Sequence, residues 1–483
     1  MRTSGLLRHL FAASALILLA MAAWQGQRLA GLGSAFTAKY LCSAVFVADR
    51  DAPTVAREDL PAFRSFILGL VDWEVDHARG RVTADILGLG RREAVHRPGL
   101  GCTLALDGPP VPLPTPPPSA ADDSGWPPAA PPPPALLRAV EAAFAEPDPR
   151  RPRRTRAVIV LHRGRLLIER YAPGYTADTR FPGWSMSKSV LNALTGILVA
   201  EGRLRLHGPA PVAAWSGPQD PRRGITLEHL LTMSSGLAFD EDYDHPLSDV
   251  VRMLYESRDT AAFAAARPLL AAPGSRFSYS TGSSAILSRI VADAAGAPWP
   301  AFARRALFDP LGMRSAQIEP DSAGTPQLAA YVWANARDWA RFGLLYLHDG
   351  IWLGRRLLPP GWVAYSRTPA PADRKGEYAA HFWVRVPHPD RLGPGRPYLV
   401  PADAFHAAGH GAQYVTVIPS RALVVVRLGL ALDPGSWDHE AFLHEVVATV
   451  DAVGSQCSAG YRQAIHASES TSPGPRAQRG QIG

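Results

Sequence analysis

Cysteine is scarce in this chain: Cys42, Cys102 and Cys457 are the three present in 483 residues. None forms a Cys-x-x-Cys pair, which excludes zinc sites of the ribbon or finger kind. Basic runs interleaved with aromatic side chains are missing as well. The formal charge of +7 arises from 50 Lys+Arg against 43 Asp+Glu, carried almost wholly by arginine. Without a basic stripe this excess does not point to a nucleic-acid partner. A Gly-x-Ser-x-Gly elbow is also absent, because Gly183-Trp184-Ser185 is followed by Met186 and Ser187 where a second glycine would stand. No internal repeat is present.

Apolar sequence is plentiful at the start. Arg2 and Arg8 precede an almost unbroken apolar run from Leu10 to Trp24, the pattern of a positive n-region and an h-region. Ala20-Met21-Ala22 offers a small-x-small cleavage site, and the run extends toward Leu32 as an anchor if left uncut. Residues 1–25 are therefore expected to be a signal peptide or membrane anchor. The protein is expected in the periplasm, or held at the inner membrane facing the periplasm. In that oxidising compartment two cysteines are expected to pair. Cys42 and Cys102 are favoured because they bracket one compact segment, leaving Cys457 in the tail; three free thiols are the alternative.

Residues 36–106 read as a folded accessory segment. Leu60 to Val71 has helical apolar spacing, and Arg81 to Leu87 alternates like a strand after a turn at Gly80. Residues 107–135 hold a proline run from Pro109 to Pro118 and a second from Pro131 to Pro134, which predicts a stiff polyproline spacer. The main domain is expected over 136–453. It opens with a helix from Leu136 to Phe144 and a hairpin, Ala157 to Leu161 with Leu166 to Glu169, around Arg163-Gly164. A second hairpin, Tyr414 to Ile418 with Ala422 to Leu428, turns at Pro419-Ser420, and a helix from Asp438 to about Val453 closes the domain. Strands at both ends of a mostly helical middle predict an α+β fold: an antiparallel sheet flanked by helices, with an additional helical subdomain. Residues 454–483, rich in Ser, Gly, Pro and Arg, are expected to be a disordered tail.

Three places carry chemistry. Ser185 precedes an amphipathic helix running from Ser189 to Glu201, and Lys188 falls three residues on, on the same face. A serine hydroxyl is a poor nucleophile until a neighbour takes its proton, and a lysine serves as that base once burial lowers its pKa. In Pro273-Gly274-Ser275-Arg276-Phe277-Ser278-Tyr279-Ser280, Tyr279 is placed to relay a proton to a leaving group before a helix beginning near Ser283. In Gly409-His410-Gly411-Ala412-Gln413-Tyr414, which opens the penultimate strand, small residues let a substrate lie along the strand edge. A backbone N–H there, with that of Ser185, would form an oxyanion hole. Trp184 either walls the pocket or is purely structural. His406 and His410 have the i, i+4 spacing of a zinc pair, but Gly409 and the strand context spoil a ligand helix. No metal and no organic cofactor is expected.

The order and spacing of these motifs resemble the serine β-lactamase and penicillin-binding-protein superfamily, in its class C and esterase-like branch. Further matching segments are Gly224 to Leu237 (GITLEHLLTMSSGL), Leu307 to Met313 and Ala336 to Gly343. The resemblance spans roughly Thr155 to Leu430 and is nearer to nylon-oligomer hydrolases and family esterases than to clinical β-lactamases. The block Ala38 to Ser43 resembles a periplasmic subset of uncharacterised members. The resemblance implies Ser185 as the acylated nucleophile, Lys188 as its base and Tyr279 as the second proton carrier. It also implies His410 and Gly411, with Gln413 beside them, as the substrate strand. Departures are Thr281 where Asn or Ser is usual, His410 in place of Lys, and Ala412 in place of Gly. A mostly neutral histidine holds a substrate carboxylate weakly, which favours ester or short-amide substrates over cell-wall peptides, and these over β-lactams. The rival expectation is a non-catalytic, penicillin-binding-like binding protein.

Overall fold

The computed structural model describes residues 3–63, 65–119, 131–387, 398–433 and 435–452. The apolar start becomes one helix, α1 (Thr3–Phe46). Its large apolar side chains from Phe11 to Trp24 are exposed, Phe11 at 79% and Trp24 at 60%, whereas Leu32, Ala35, Ala38 and Leu41 are buried. The accessory segment thus begins inside α1, which runs without a break from the exposed stretch into the core. Gly33 permits this packing, because a Cβ there would lie 2.6 Å from Ile67.

A short helix α2 (Ala52–Glu58) follows, started by Asp51 accepting from the Thr54 N–H. The helix expected over Leu60 to Val71 is instead two 3-10 turns, Leu60–Phe63 and Phe66–Leu70. Only Leu60 and Ala62 of these turns are buried, too little apolar contact to hold a continuous helix across Pro61 and Gly69. Four strands form an antiparallel meander: β1 (Asp72–Asp76), β2 (Arg81–Ile86), β3 (Leu89–Arg97) and β4 (Gly101–Leu104).

Residues 107–109 bend, with Asp107 and Gly108 at positive φ, and residues 110–118 form neither helix nor strand, as their prolines dictate, yet they are not a free spacer. The Val111 N–H donates to the Ser322 carbonyl at 2.9 Å, and Arg258 donates to the carbonyls of Leu106, Asp107 and Pro109. The acidic patch of 120–130 and the expected tail with Cys457 lie outside the described residues.

The main domain is built on a five-stranded antiparallel sheet. β5 (Thr155–His162) and β6 (Arg165–Tyr171) form the first hairpin, with Arg163 and Gly164 both at positive φ in its turn. A three-stranded sheet is made by β7 (Arg180–Pro182), β8 (Gln317–Ile318) and β9 (Val332–Asn335). β10 (Ile351–Trp352) and β11 (Arg355–Arg356) form a small outer hairpin. β12 (Phe405–Gly409), β13 (Gln413–Ile418) and β14 (Leu423–Gly429) complete the main sheet in the order β12-β13-β14-β5-β6. The expectation for Gly409 to Tyr414 needs one correction. These residues do not simply open a strand; Gly409 ends an edge strand, His410 to Ala412 turn, and Gln413 begins β13.

β5 reads as a continuous apolar run because both its faces are covered. Val158 and Val160 face α3 (Pro134–Phe144) and a closing helix over 439–452, while Ala157, Ile159 and Leu161 face the opposite core. Between the hairpins lie α4 (Ser187–Ala200), α5 (Leu227–Leu231), α6 (Asp249–Tyr255), α7 (Thr260–Ala265) and α8 (Thr281–Ala294). α9 (Trp299–Ala303), α10 (Asp309–Leu311), α11 (Ala336–Leu347) and α12 (Trp362–Ser366) follow. α11 reaches the inner face of the sheet through Gly343, where a Cβ would come within 2.6 Å of Val424.

The accessory segment is closed on itself by a disulfide and tied to this domain by polar contacts. Cys42 and Cys102 are joined in a disulfide with Cα atoms 6.0 Å apart, linking α1 to β4. Next to it the buried Lys39 ammonium pairs with the Glu319 carboxylate and donates to the Cys102 carbonyl at 2.8 Å. Glu319 also accepts from the Ser43 hydroxyl, the Cys102 N–H and the Trp333 indole. A second knot centres on Asp59, which accepts from the Tyr40 hydroxyl, Arg50 and, on β5, Arg156.

Candidate active site

The nucleophile candidate stands where β7 meets α4. Gly183 lies so close to Trp339 that a Cβ would approach its ring to 2.6 Å. Trp184 then takes a left-handed backbone, φ 45°, a conformation that costs about 1–3 kcal/mol and persists where packing enforces it. Here the packing is aromatic, with Tyr40, Phe63, Tyr331 and His410 around a ring only 7% exposed. Trp184 to Met186 form a 3-10 turn that leads into α4, so Ser185 stands at the helix entrance and Lys188 in its first turn.

Lys188 is 1% exposed. Its ammonium donates to Ser185 Oγ at 3.0 Å, to Thr281 Oγ1 at 3.1 Å and to the Ala329 carbonyl at 2.8 Å. Burial pushes the Lys188 pKa down to about 8, partly opposed by the negative charge of Glu241. Tyr279 comes from the loop before α8, whose N-cap is Ser280. Its phenol lies close enough to Ser185 for that side chain to affect its pKa, and Lys188 Nζ lies 5.1 Å from its ring centre. Burial, then the charge of Glu241, drive the Tyr279 pKa well above the ordinary tyrosine value, while Ser185 lowers it. The two proton carriers are thereby separated: the lysine is within reach of its neutral form near pH 8, and the phenol keeps its proton. Thr281, the departure from Asn or Ser, presents its hydroxyl to Lys188 as those residues would.

His410 is exposed, in the β12–β13 turn. Its ring stacks on Phe63 at 5.8 Å and on Tyr243 at 6.0 Å. Gly409 touches the nucleophile turn so closely that a Cβ would collide with the Gly183 carbonyl. Gln413 departs from its expected place on the substrate strand. It is 1% exposed, its amide donates to the Pro182 carbonyl at 2.6 Å, and its oxygen accepts from the Gly429 N–H at 3.3 Å. Its side chain joins β7 to the end of β14. Gly411 adopts φ 78° in the turn. Buried Arg427 donates to the carbonyls of both Gly411 and Ala412 at 2.9 Å. In trans peptides this turns the N–H groups of Ala412 and Gln413 the opposite way, away from Arg427.

Four residues of the site were not read from the sequence. Glu241 accepts from the Thr281 N–H at 2.7 Å, from the Thr281 hydroxyl, and from Tyr243 at 3.1 Å. Burial raises its pKa, opposed by Lys188. Tyr243 is 47% exposed overall, but its hydroxyl turns inward to Thr281 at 3.1 Å. His381 supports the first turn of α4 through a 2.9 Å bond between Nδ1 and the Lys188 carbonyl. Phe63 arrives from the accessory segment. The stretch Asp240-Glu241-Asp242 reads as a solvated acidic loop, and nothing in its pattern marks the middle carboxylate.

The family model for beta-lactamases matches residues 137–442. An uncharacterised protein of Mycobacterium tuberculosis is 29% identical over 260 residues, covering 43% of this chain and 64% of that protein. The 6-aminohexanoate-dimer hydrolase of Paenarthrobacter ureafaciens is 28% identical over 220 residues, covering 43% of this chain and 56% of the enzyme. The chain thus spans less than two thirds of the length of these curated relatives. Among solved structures, a 6-aminohexanoate-dimer hydrolase homologue from Bacillus anthracis superposes with a TM-score of 0.53 at 24% identity, over 63% of this chain and 80% of that one.

Proposed function

This chain belongs to the beta-lactamase family, and from that footing we propose that it is an exported serine hydrolase cleaving ester or amide bonds through a Ser185 acyl-enzyme. The observation that carries the reading is the 3.0 Å bond between Lys188 Nζ and Ser185 Oγ inside a buried surround of hydroxyls and a carbonyl. Neutral Lys188 takes the proton as Ser185 Oγ attacks the carbonyl carbon. The developing oxyanion rests on the Ser185 N–H and an N–H of the His410–Gln413 turn. Tyr279 gives its proton to the departing alcohol or amine and regains one from Lys188, which completes proton balance for acylation. Water, deprotonated through the same pair, then attacks the acyl-enzyme and frees Ser185.

The amidase side of the reading draws on the 6-aminohexanoate-dimer hydrolase relative. Small esters and short amides come first among substrates, ahead of cell-wall peptides and β-lactams, because a histidine, His410, stands where the resemblance puts a lysine. The Cys42–Cys102 disulfide and the exposed apolar stretch of α1 support export. The unbroken helix favours an anchor at the inner membrane, with the catalytic domain on the periplasmic side.

The test is hydrolysis of p-nitrophenyl acetate together with labelling by a fluorescent phosphonate. Wild type is expected to do both, and Ser185→Ala to lose labelling and fall by about a thousandfold or more in kcat/KM. Folded wild-type protein that neither hydrolyses the ester nor takes the label would mean a binding protein.

A further inference from the structure

We propose that Phe63 is a specificity-determining residue of the Ser185 site, and that the substrate carries an apolar group beside the scissile carbonyl. The proposal rests on the serine-hydrolase reading above. Phe63 lies outside the matched residues 137–442, so the accessory segment supplies a wall that the family domain alone lacks.

Three observations converge on it. The Phe63 ring is half-buried and stacks on the exposed His410 ring at 5.8 Å, with 12° between planes. It also meets Trp184, the residue before the nucleophile, edge-on at 6.1 Å. Phe66, at the start of the next 3-10 turn, is 80% exposed, and Leu70 at its end is 57% exposed. Two exposed apolar side chains thus follow Phe63 closely in the chain.

The placement is also rigid. Phe63 follows Ala62, whose N–H donates to the Asp59 carbonyl at 3.0 Å. The Asp59 carboxylate is held by Tyr40, Arg50 and Arg156, and Tyr40 supports the Phe63 ring from behind at 5.4 Å. A fixed aromatic wall discriminates between acyl groups by the apolar area it covers, and its polar partners stay in the buried knot below.

The experiment compares kcat/KM for p-nitrophenyl hexanoate with that for the acetate. Phe63→Ala is expected to lower the hexanoate-to-acetate ratio about fivefold or more, chiefly through KM, as loss of one ring contact should. Phe63→Trp keeps an aromatic staple but narrows the site, and is expected to lower the same ratio; it also serves if the alanine variant fails to fold. Leu353→Ala, far out on the β10–β11 turn, is the control for handling and should leave the ratio alone. A ratio unchanged in both Phe63 variants, with only the melting temperature lowered, would show that the ring merely staples the segment and would overturn the proposal. Wild type that hydrolyses neither ester and takes no phosphonate label would overturn the hydrolase reading and this inference with it.

Discussion

Two buried lysines occupy polar nests of nearly the same construction, and they differ in where the carboxylate stands. Lys39 donates to a serine hydroxyl one helical turn away, Ser43 at 3.2 Å, and to a backbone carbonyl, Cys102 at 2.8 Å. Lys188 donates to a serine hydroxyl one turn away, Ser185 at 3.0 Å, and to a carbonyl, Ala329 at 2.8 Å. The third partner differs. For Lys39 it is the carboxylate of Glu319; for Lys188 it is the neutral hydroxyl of Thr281, with Glu241 one residue further back. Burial lowers the pKa of both lysines, opposed in Lys39 by direct contact with the Glu319 carboxylate and in Lys188 by the more remote charge of Glu241. A carboxylate held one hydroxyl away favours the charged form less than one in contact, which suits the general base proposed above.

The comparison is broken most severely by Lys188→Ala. Loss of the base is expected to slow acylation of Ser185 by about 10²–10⁴-fold, read from the rate of phosphonate labelling; an unchanged rate would make the two lysines alike. Lys39→Met is expected to act on stability instead. It leaves Glu319 buried without its partner and should cost about 3–5 kcal/mol, seen in denaturant titration. The double variant Lys39→Met/Glu319→Gln should recover part of that loss. The folded fraction should keep the wild-type pH–rate midpoint; a moved midpoint would tie Lys39 to the chemistry.

The smallest effect sharpens the comparison furthest. Below its pKa Lys188 is an ammonium and cannot accept the Ser185 proton, so kcat/KM is expected to rise through about pH 8 and level off above. The charge of Glu241 favours the ammonium and holds that pKa up. Glu241→Gln should therefore move the rising limb to lower pH, by roughly one unit. A limb that stays in place or moves to higher pH would show that the base does not feel this carboxylate.

Much of the catalytic centre was legible because its first half is local. Ser185 and Lys188 are three residues apart at a helix entrance, and helical geometry alone brings their side chains together. The hairpins of the main sheet were equally legible, because apolar runs on either side of turn residues are short-range signals. Segments stabilised from outside were misread. Leu60 to Val71 has the spacing of a helix but lacks a core to lie on, and the proline-rich stretch looks like a tether until Ser322 and Arg258 are seen to hold it.

By itself the sequence determined the two hairpins of the main sheet, the Ser-x-x-Lys pair, the tyrosine-bearing loop and the apolar leader, all properties of neighbouring residues. Only the tertiary structure decided which carboxylate faces which lysine, that the Gln413 amide donates to the Pro182 carbonyl, and that Phe63 stacks on His410, more than three hundred residues away along the chain. The physical reason is one of range. Backbone geometry links residues three or four apart, whereas the electrostatic surround of a buried group is assembled from distant segments that meet only after the chain has folded.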